Sequence, residues 1–136
     1  MSTTTTELRT ASLTVTEEII RSFAELTDDF NPIHVDAEFA AKTPMGRPIA
    51  HGTLSLCLVW QCLQRNFGPQ ALSDLDLQVR FIKPVYIDDV VTAGGQPSQA
   101  DPEQYDIWVR GQDGSDRIVG TVTLNASGKA PQGDMA

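Results

Sequence analysis

The sequence predicts a single α+β domain in which an antiparallel sheet wraps around one central, apolar helix. Three observations support this class: helical patterns come first, a mid-chain run is apolar on most faces, and alternating strands follow. Helices followed by strands are typical of α+β domains, and a helix that is apolar nearly all round needs cover on most sides. With 136 residues, the chain has the length of one domain with one core.

The first half of the chain is predicted to be mainly helical. Residues 8–15 alternate in part and predict a first strand. Thr16 is a suitable N-cap for an amphipathic helix over residues 17–27. Asp36 is expected to cap a second, short helix, and residues 43–48 read as a loop with two prolines bracketing a glycine. The apolar run over residues 49–63 is the predicted central helix, and Gly and Pro stop it within residues 66–69.

The second half is predicted to be the sheet. Alternating patterns predict strands over residues 75–82, 90–93, 105–110 and 117–125. Residues 94–98 are expected to form a turn or bulge, and residues 112–115 a hairpin turn. Residues 1–7 and 127–136 are polar or rich in small residues and are predicted to be flexible tails, which leaves residues 8–126 as the domain.

A short segment after the first helix carries both an acid and a histidine: Asp29-Phe30-Asn31-Pro32-Ile33-His34. Pro32 disfavours the α region at the residue before it, so the arriving helix must end here. A carboxylate and an imidazole held on a stiff loop can share one water molecule, with one accepting its proton and the other orienting it. The alternative is an ordinary helix stop whose polar side chains are only solvated.

Together with Val35 and Asp36, this segment resembles the signature of the MaoC-like dehydratases, a family that includes the R-specific enoyl-CoA hydratases. Residues 47–52 and 79–85 resemble two further blocks of the family, and the likeness runs from about residue 14 to about residue 125. The resemblance implies the hot-dog fold, a homodimer or higher homo-oligomer, and active sites near the dimer interface. It also implies reversible hydration of trans-2-enoyl thioesters to (R)-3-hydroxyacyl thioesters.

The resemblance assigns roles to particular residues. Asp29 and His34 would form the catalytic dyad, with Asp29 taking the proton of a water that His34 orients. The backbone N–H of Gly52 would hold the thioester oxygen. Asn31 and His51 are included with the substrate-binding set, although a turn-holding role for Asn31 and a loop-orienting hydrogen bond from His51 are the favoured readings.

Charge and composition limit the partners. A net charge of −8 argues against binding to nucleic acid or to an anionic membrane surface. Coenzyme A or phosphopantetheine, which belongs to the substrate, is anionic too, so a site for it needs local cations, and Arg47, Arg80 and Lys83 are the candidates. No cofactor or metal is expected, since His34 and His51 lack a third ligand at metal spacing in the sequence.

The location of the protein is predicted from three features. No signal peptide pattern precedes the domain, and the longest apolar stretch is too short to span a bilayer. Cys57 and Cys62 are expected to be buried, reduced thiols. A cytoplasmic location is therefore expected.

Two positions depart from the family pattern. Asp28 stands where many members have glycine, and Trp60 lies on the helical turn where some R-hydratases have a polar serine; a core position is expected for Trp60. Three other functions stay open: a dehydratase acting on carrier-protein-bound chains, a hot-dog thioesterase, and a non-catalytic subunit of a heteromeric dehydratase.

Overall fold

The computed structural model describes residues 7–126, which form one five-stranded antiparallel sheet packed against a long helix. The helices are α1 (Glu17–Thr27), α2 (Pro32–Val35), α3 (Ala37–Ala41) and α4 (Gly52–Phe67), and a short 3-10 helix follows at Pro69–Ser73. The strands are β1 (Ala11–Thr14), β2 (Leu75–Phe81), β3 (Val90–Pro97), β4 (Gln104–Arg110) and β5 (Asp116–Leu124). Their order across the sheet is β1-β3-β4-β5-β2, which leaves β1 and β2 at the edges. The predicted α+β architecture is confirmed.

The start and end of α1 follow from its sequence. The Thr16 side chain accepts a hydrogen bond from the N–H of Ile19 at 3.1 Å, as an N-cap should. Ile20, Phe23 and Ala24 form the buried face of α1. Asp28 ends α1 in the left-handed conformation, with φ 58° and ψ 37°. Glycine adopts this conformation most easily, and Asp tolerates it better than most other residues, so Asp28 can end the helix here.

The central helix α4 begins three residues later than the apolar run that predicted it. Ile49 pairs with Tyr86 in an isolated bridge, and the N–H of Ala50 donates to the carbonyl of Val85 at 2.7 Å. These contacts hold the chain extended until Gly52, where α4 starts. The predicted stop is confirmed, since α4 ends before Gly68, whose φ of 84° favours glycine.

The expectation that α4 is buried on most sides is wrong for one face. Leu54, Leu58, Val59, Cys62 and Leu63 are buried against the sheet. Trp60, expected in the core, is 36% exposed, and Cys57 is exposed as well. Within one chain the sheet covers only one side of α4. Cys62 is buried, as expected, whereas the same expectation is wrong for Cys57. Burial raises the pKa of the Cys62 thiol despite the nearby charge of Arg65.

The predicted turn at residues 94–98 is also wrong, because β3 continues through Gly94, Gly95 and Gln96 to Pro97. A Cβ on Gly94 would lie 3.1 Å from Nε1 of Trp108, and one on Gly95 would lie 2.6 Å from the carbonyl oxygen of Asp106. These glycines therefore mark close packing against β4 rather than a change of direction.

One hydrophobic core joins α1, α4 and the inner face of the sheet. Its largest fully buried side chains include Ile20, Leu63, Ile118, Val109 and Val122. Within residues 7–126, no helix combines the length and the apolar character needed to cross a membrane. The tails predicted for residues 1–7 and 127–136 lie, apart from Glu7, outside the described residues.

Candidate active site

The segment after α1 is a helix stop followed at once by a new helix. Asn31 has φ −52° and ψ 130°, outside the α region, as Pro32 requires. The Asn31 side chain caps α2 by accepting from the N–H of Ile33 at 3.1 Å. The Asp29 carboxylate in turn accepts from the N–H of Asn31 at 3.2 Å. These contacts support a turn-holding role for Asn31 and orient the Asp29 carboxylate, which is exposed.

His34 lies in α2 and is half-buried, with one ring nitrogen engaged by the backbone. Its Nδ1 lies 2.7 Å from the carbonyl oxygen of Ile49. A carbonyl can only accept, so Nδ1 carries the proton in this hydrogen bond. In the neutral ring, Nε2 of His34 then keeps a free lone pair that can accept a proton or a hydrogen bond from water.

His51, the residue before α4, is 2% exposed and contacts the loop that carries Asp29. Its Nε2 lies 3.0 Å from the carbonyl oxygen of Asp29, so Nε2 is the donor. The loop-orienting hydrogen bond predicted for His51 is therefore present. Its Nδ1 is buried without a hydrogen-bond partner in the described part of the chain.

The three side chains form one compact cluster. The imidazoles of His34 and His51 are stacked, with ring centroids 3.9 Å apart and planes 25° apart. Phe23 of α1 contacts the His51 ring edge-on at 5.1 Å. A carboxylate oxygen of Asp29 and one nitrogen from each histidine all lie within 4.8 Å of one another.

This cluster corrects the expectation that the two histidines have no third potential metal ligand near them. The two histidines were expected to lack a third ligand, but the fold brings Asp29 beside them. The stacked rings have nearly parallel planes, and each ring already uses one nitrogen on a backbone carbonyl. Lone pairs in nearly parallel planes do not converge readily on one tetrahedral ion. The absence of a metal stays a prediction.

The start of α4 offers hydrogen-bond donors beside this cluster. Gly52 is the first residue of α4, and the preceding His51 makes no side-chain capping bond to the helix. The first N–H groups of a helix have no partner within it, and they carry the positive end of the helix dipole. They are therefore suited to an oxygen that carries negative charge.

A cavity of about 300 Å³ opens next to Gly52. Its lining is mostly apolar and includes His51, Ser55, Phe81, Lys83 and Ile118. Ser55 is buried on α4. A Cβ on Gly52 would lie 2.9 Å from Cε2 of Phe81, so glycine is what lets the Phe81 ring approach the helix start. Such a cavity can take the acyl part of a thioester.

The three predicted cations do not all lie together. Arg47 and Lys83 line one polar pocket, and Lys83 also reaches the cavity at Gly52. Arg80 pairs with Val119 across β2 and β5 and lines a groove that also holds Trp108 and Arg110. That groove shares no lining residue with the cavity at Gly52.

Three residues at the site were missed from the sequence. The Ile49 carbonyl fixes the tautomer of His34, Phe81 covers Gly52, and Arg117 lines the pocket that holds Arg47 and Lys83. Ile49 acts through its backbone carbonyl and Phe81 belongs to an ordinary alternating strand, so nothing in the sequence around either residue indicates a role at the site. Arg117 stands in a strand pattern in which a charged residue usually faces solvent.

The chain is similar to known hydratases and dehydratases over part of its length. The chain is 39% identical over 74 residues to an (R)-specific enoyl-CoA hydratase of Aeromonas caviae. This match covers 54% of this chain and 55% of the relative. It is 39% identical over 83 residues to a 3-hydroxybutyryl-CoA dehydratase of Methylorubrum extorquens, which covers 60% of this chain and 52% of the relative. The matched segments thus span about half of each relative's length.

The solved structures confirm the fold. The chain superposes on the (R)-hydratase of A. caviae with a TM-score of 0.72 at 27% identity, covering 88% of this chain and 95% of that one. The hot-dog fold implied by the sequence is therefore confirmed. The family model described as "MaoC like domain" matches residues 2–127, which is nearly the whole chain. The chain belongs to the MaoC-like domain family.

Proposed function

We propose that this protein is a hydro-lyase that reversibly hydrates trans-2-enoyl thioesters to (R)-3-hydroxyacyl thioesters. One observation carries the proposal: the Asp29 carboxylate, His34 with a free ring nitrogen, and His51 lie within 4.8 Å of one another, and His51 directly precedes an uncapped helix start. Family membership and relatives named (R)-specific enoyl-CoA hydratase and 3-hydroxybutyryl-CoA dehydratase support the same reaction.

Asp29 and His34 are proposed to hold the attacking water. The Asp29 carboxylate accepts one water hydrogen, and Nε2 of His34, left bare by the bond from Nδ1 to Ile49, accepts the other. Water held in this way keeps an oxygen lone pair free for attack. Asp29 takes the proton as the water oxygen bonds to C3 of the acyl chain, and the dyad then delivers a proton to C2.

Gly52 is proposed to bind the thioester oxygen. Attack at C3 moves the electron pair of the C2–C3 double bond toward the carbonyl, which becomes an enolate oxygen. The N–H groups at the start of α4 would hold that negative charge, and loss of one such donor typically costs about 2.7–4 kcal/mol of transition-state stabilisation. Protonation of C2 re-forms the carbonyl and completes the hydration.

The test is the loss of enoyl absorbance with crotonyl-CoA, with product configuration determined on a chiral column. We expect Asp29→Asn and His34→Ala each to lower kcat by roughly 100-fold or more, because each removes a group that handles the water proton. Asp28→Asn is the matched control, since Asp28 is the adjacent, exposed carboxylate that ends α1. Near-normal hydration by Asp29→Asn would contradict the assignment.

The same assay separates the alternatives. Carrier-protein-bound crotonate, offered beside the CoA ester, distinguishes a biosynthetic dehydratase from a CoA hydratase. Release of free thiol would indicate a thioesterase, but α4 contains no Asp or Glu, the residue type on which such an enzyme would rely. Failure to act on any thioester would favour a non-catalytic subunit.

Several accompanying assignments stay predictions. No cofactor is expected, because water addition to an activated double bond needs only acid–base groups and charge stabilisation. A cytoplasmic location and the absence of nucleic-acid or membrane partners are predicted from sequence and charge. Self-association is also predicted.

A further inference from the structure

A buried arginine outside the catalytic cluster is only partly satisfied. Arg117 is 6% exposed, and its Nε has no hydrogen-bond partner in the described residues. Its Nη2 lies 3.4 Å from the Asp89 carboxylate, and its Nη1 contacts Ser115 and lies 3.4 Å from the Asp113 carboxylate. Burial of a charged group with an unused donor is costly, so this position calls for an explanation beyond the ion pair with Asp89.

Arg117 lies in a pocket of about 390 Å³ with two further cations at its rim. The Arg47 guanidinium stacks 4.5 Å above the Tyr86 ring and contacts the carbonyl of Ile87 at 3.4 Å, without an ion-pair partner among residues 7–126. Lys83 is exposed and has no ion-pair partner within the described residues either. Their charges are therefore available to a ligand.

The charge of this pocket differs in sign from that of the chain. Its lining holds three cations, Arg47, Lys83 and Arg117, and two carboxylates, Asp89 and Asp113, which leaves a local charge of +1. The whole chain carries −8. Since both carboxylates pair with Arg117, the two rim cations supply the unbalanced positive charge. Such a pocket favours an anion despite the global repulsion.

The pocket also adjoins the cavity at Gly52. Lys83 and Pro84 line both spaces, so the two spaces adjoin at residues 83–84. We infer that the pocket formed by Arg47, Lys83 and Arg117 binds a phosphate group on the carrier arm of the thioester. This inference rests on the proposed function, and it places the anion at Arg47 and Lys83, beside the buried Arg117, rather than at Arg80.

The experiment compares two thioesters that differ in phosphate content. Crotonyl-CoA carries phosphates, whereas crotonyl-N-acetylcysteamine carries none, and both present the same acyl group to the cavity. For the chain with Arg47→Gln, and separately Lys83→Gln, we expect the ratio of kcat/KM for the CoA ester to that for the truncated ester to fall about tenfold. That size corresponds to one lost hydrogen bond between charged groups.

The matched control is Arg80→Gln, which removes the same charge from a groove that shares no lining residue with the cavity at Gly52. It should leave the ratio unchanged. A ratio that stays constant in Arg47→Gln and Lys83→Gln, or falls equally in Arg80→Gln, would overturn the inference while the proposed function stands. If the wild-type chain hydrates neither thioester, the proposed function itself fails.

A third substrate identifies which phosphate is bound. Crotonyl-phosphopantetheine carries only the phosphate that CoA and a carrier protein share. An equal fall in kcat/KM for this ester and for crotonyl-CoA assigns the pocket to the shared phosphate, and a fall with CoA alone assigns it to the nucleotide phosphates. Competitive inhibition by adenosine 3′,5′-bisphosphate, weakened in Arg47→Gln, supports the second source.

Discussion

Two backbone carbonyls decide which nitrogen of each imidazole is free. The Ile49 carbonyl accepts a hydrogen bond from Nδ1–H of His34, and the Asp29 carbonyl accepts one from Nε2–H of His51. His34 thus presents a bare Nε2, whereas the bare Nδ1 of His51 stays buried. The two histidines look alike in the sequence, but their surroundings make His34 suitable as an acid–base group and His51 suitable as a support.

We expect His51 to position the dyad through two separable contacts. His51→Gln keeps a donor for the Asp29 carbonyl but removes the ring stacked on His34, and His51→Phe keeps a ring but removes the donor. If the hydrogen bond holds the Asp29 loop, His51→Phe should lower kcat about tenfold or more, and His51→Gln should retain most activity.

The readouts for His51 are kcat and KM for crotonyl-CoA, with urea unfolding to measure stability. A positioning role predicts a fall in kcat at nearly constant KM, together with rescue by His51→Gln. Equal loss of activity in both variants, in step with a loss of stability, would contradict a specific role for the hydrogen bond and leave only packing against Phe23 and His34.

At this scale the sequence predicted side chains better than their supports. Asp29, His34 and His51 stand in recognisable motifs, and the fold brings them within 4.8 Å of one another. The Ile49 carbonyl is 15 residues from the imidazole it holds, and any residue there could supply it. Arg80 was grouped with Arg47 and Lys83 from charge alone, but alternation along β2 directs it elsewhere.

Among the elements, the loop between β2 and β3 carries both Lys83 and Asp89. Asp89 forms a buried ion pair with Arg117, which is called the clamp below. Asp89 is 3% exposed and accepts from the N–H of Tyr86 at 2.9 Å and from Gln112 at 3.0 Å. Burial alone would raise the pKa of Asp89, but the hydrogen bonds from Gln112 and Tyr86 and the charge of Arg117 outweigh it and lower the pKa below 3.8.

A lowered carboxyl pKa links this clamp to acid stability. The stabilisation is fully present above the unfolded-state pKa of 3.8 and is lost as the pH falls through the lower pKa of the folded state. At neutral pH, Asp89→Asn should lower the free energy of unfolding by about 3 kcal/mol, because it leaves Arg117 buried without its main counter-charge.

Urea unfolding at neutral pH and at several values below 3.8 tests this prediction. The difference between the wild type and Asp89→Asn should shrink as the pH falls. Asp113→Asn is the matched control, since Asp113 contacts the same Arg117 from an exposed position and should cost much less. A difference that does not change with pH would contradict the ionic origin of the clamp.

The errors in the predicted elements share one physical cause. Gly94 and Gly95 suggested a turn, but they lie in β3 because they pair with Trp108 and Ile107 of β4, and close contacts with Trp108 and the Asp106 carbonyl explain why both positions are glycine. Ile49 suggested helix, but a bridge to Tyr86 holds it extended. In both cases a partner distant in sequence overrides the local preference, and a single sequence does not reveal that partner.

For the whole molecule, the sequence predicted the architecture because segments with a helical hydrophobic pattern come first and segments with a strand-like alternation follow. It did not predict the exposed face of α4. An apolar helix was expected to be covered by its own sheet, yet Trp60 remains 36% exposed. Phe81 and Ile82, at the end of edge strand β2, are 55% and 44% exposed. Exposed apolar residues beside an open sheet edge indicate an interaction surface.

We expect this surface to be covered by a second copy of the chain. Two chains of 14.8 kDa give a dimer of 2 × 14.8 = 29.6 kDa. Size-exclusion chromatography with light scattering should therefore give a mass near that of the dimer at micromolar concentration. Trp60→Glu should shift the mass toward the monomer, because a buried, unpaired charge at an interface is strongly unfavourable.

Val90→Glu is the matched control for this dimer prediction. Val90 is 40% exposed, similar to Trp60, but it belongs to β3 and pairs with Thr14 of the opposite edge strand. The control should keep the mass of the wild type. Because Phe81 lies against Gly52, a dimer formed on this surface would also cover the site, so Trp60→Glu should lose hydratase activity as it dissociates. A monomeric wild type that is fully active would contradict both expectations, since the site would then be complete within one chain.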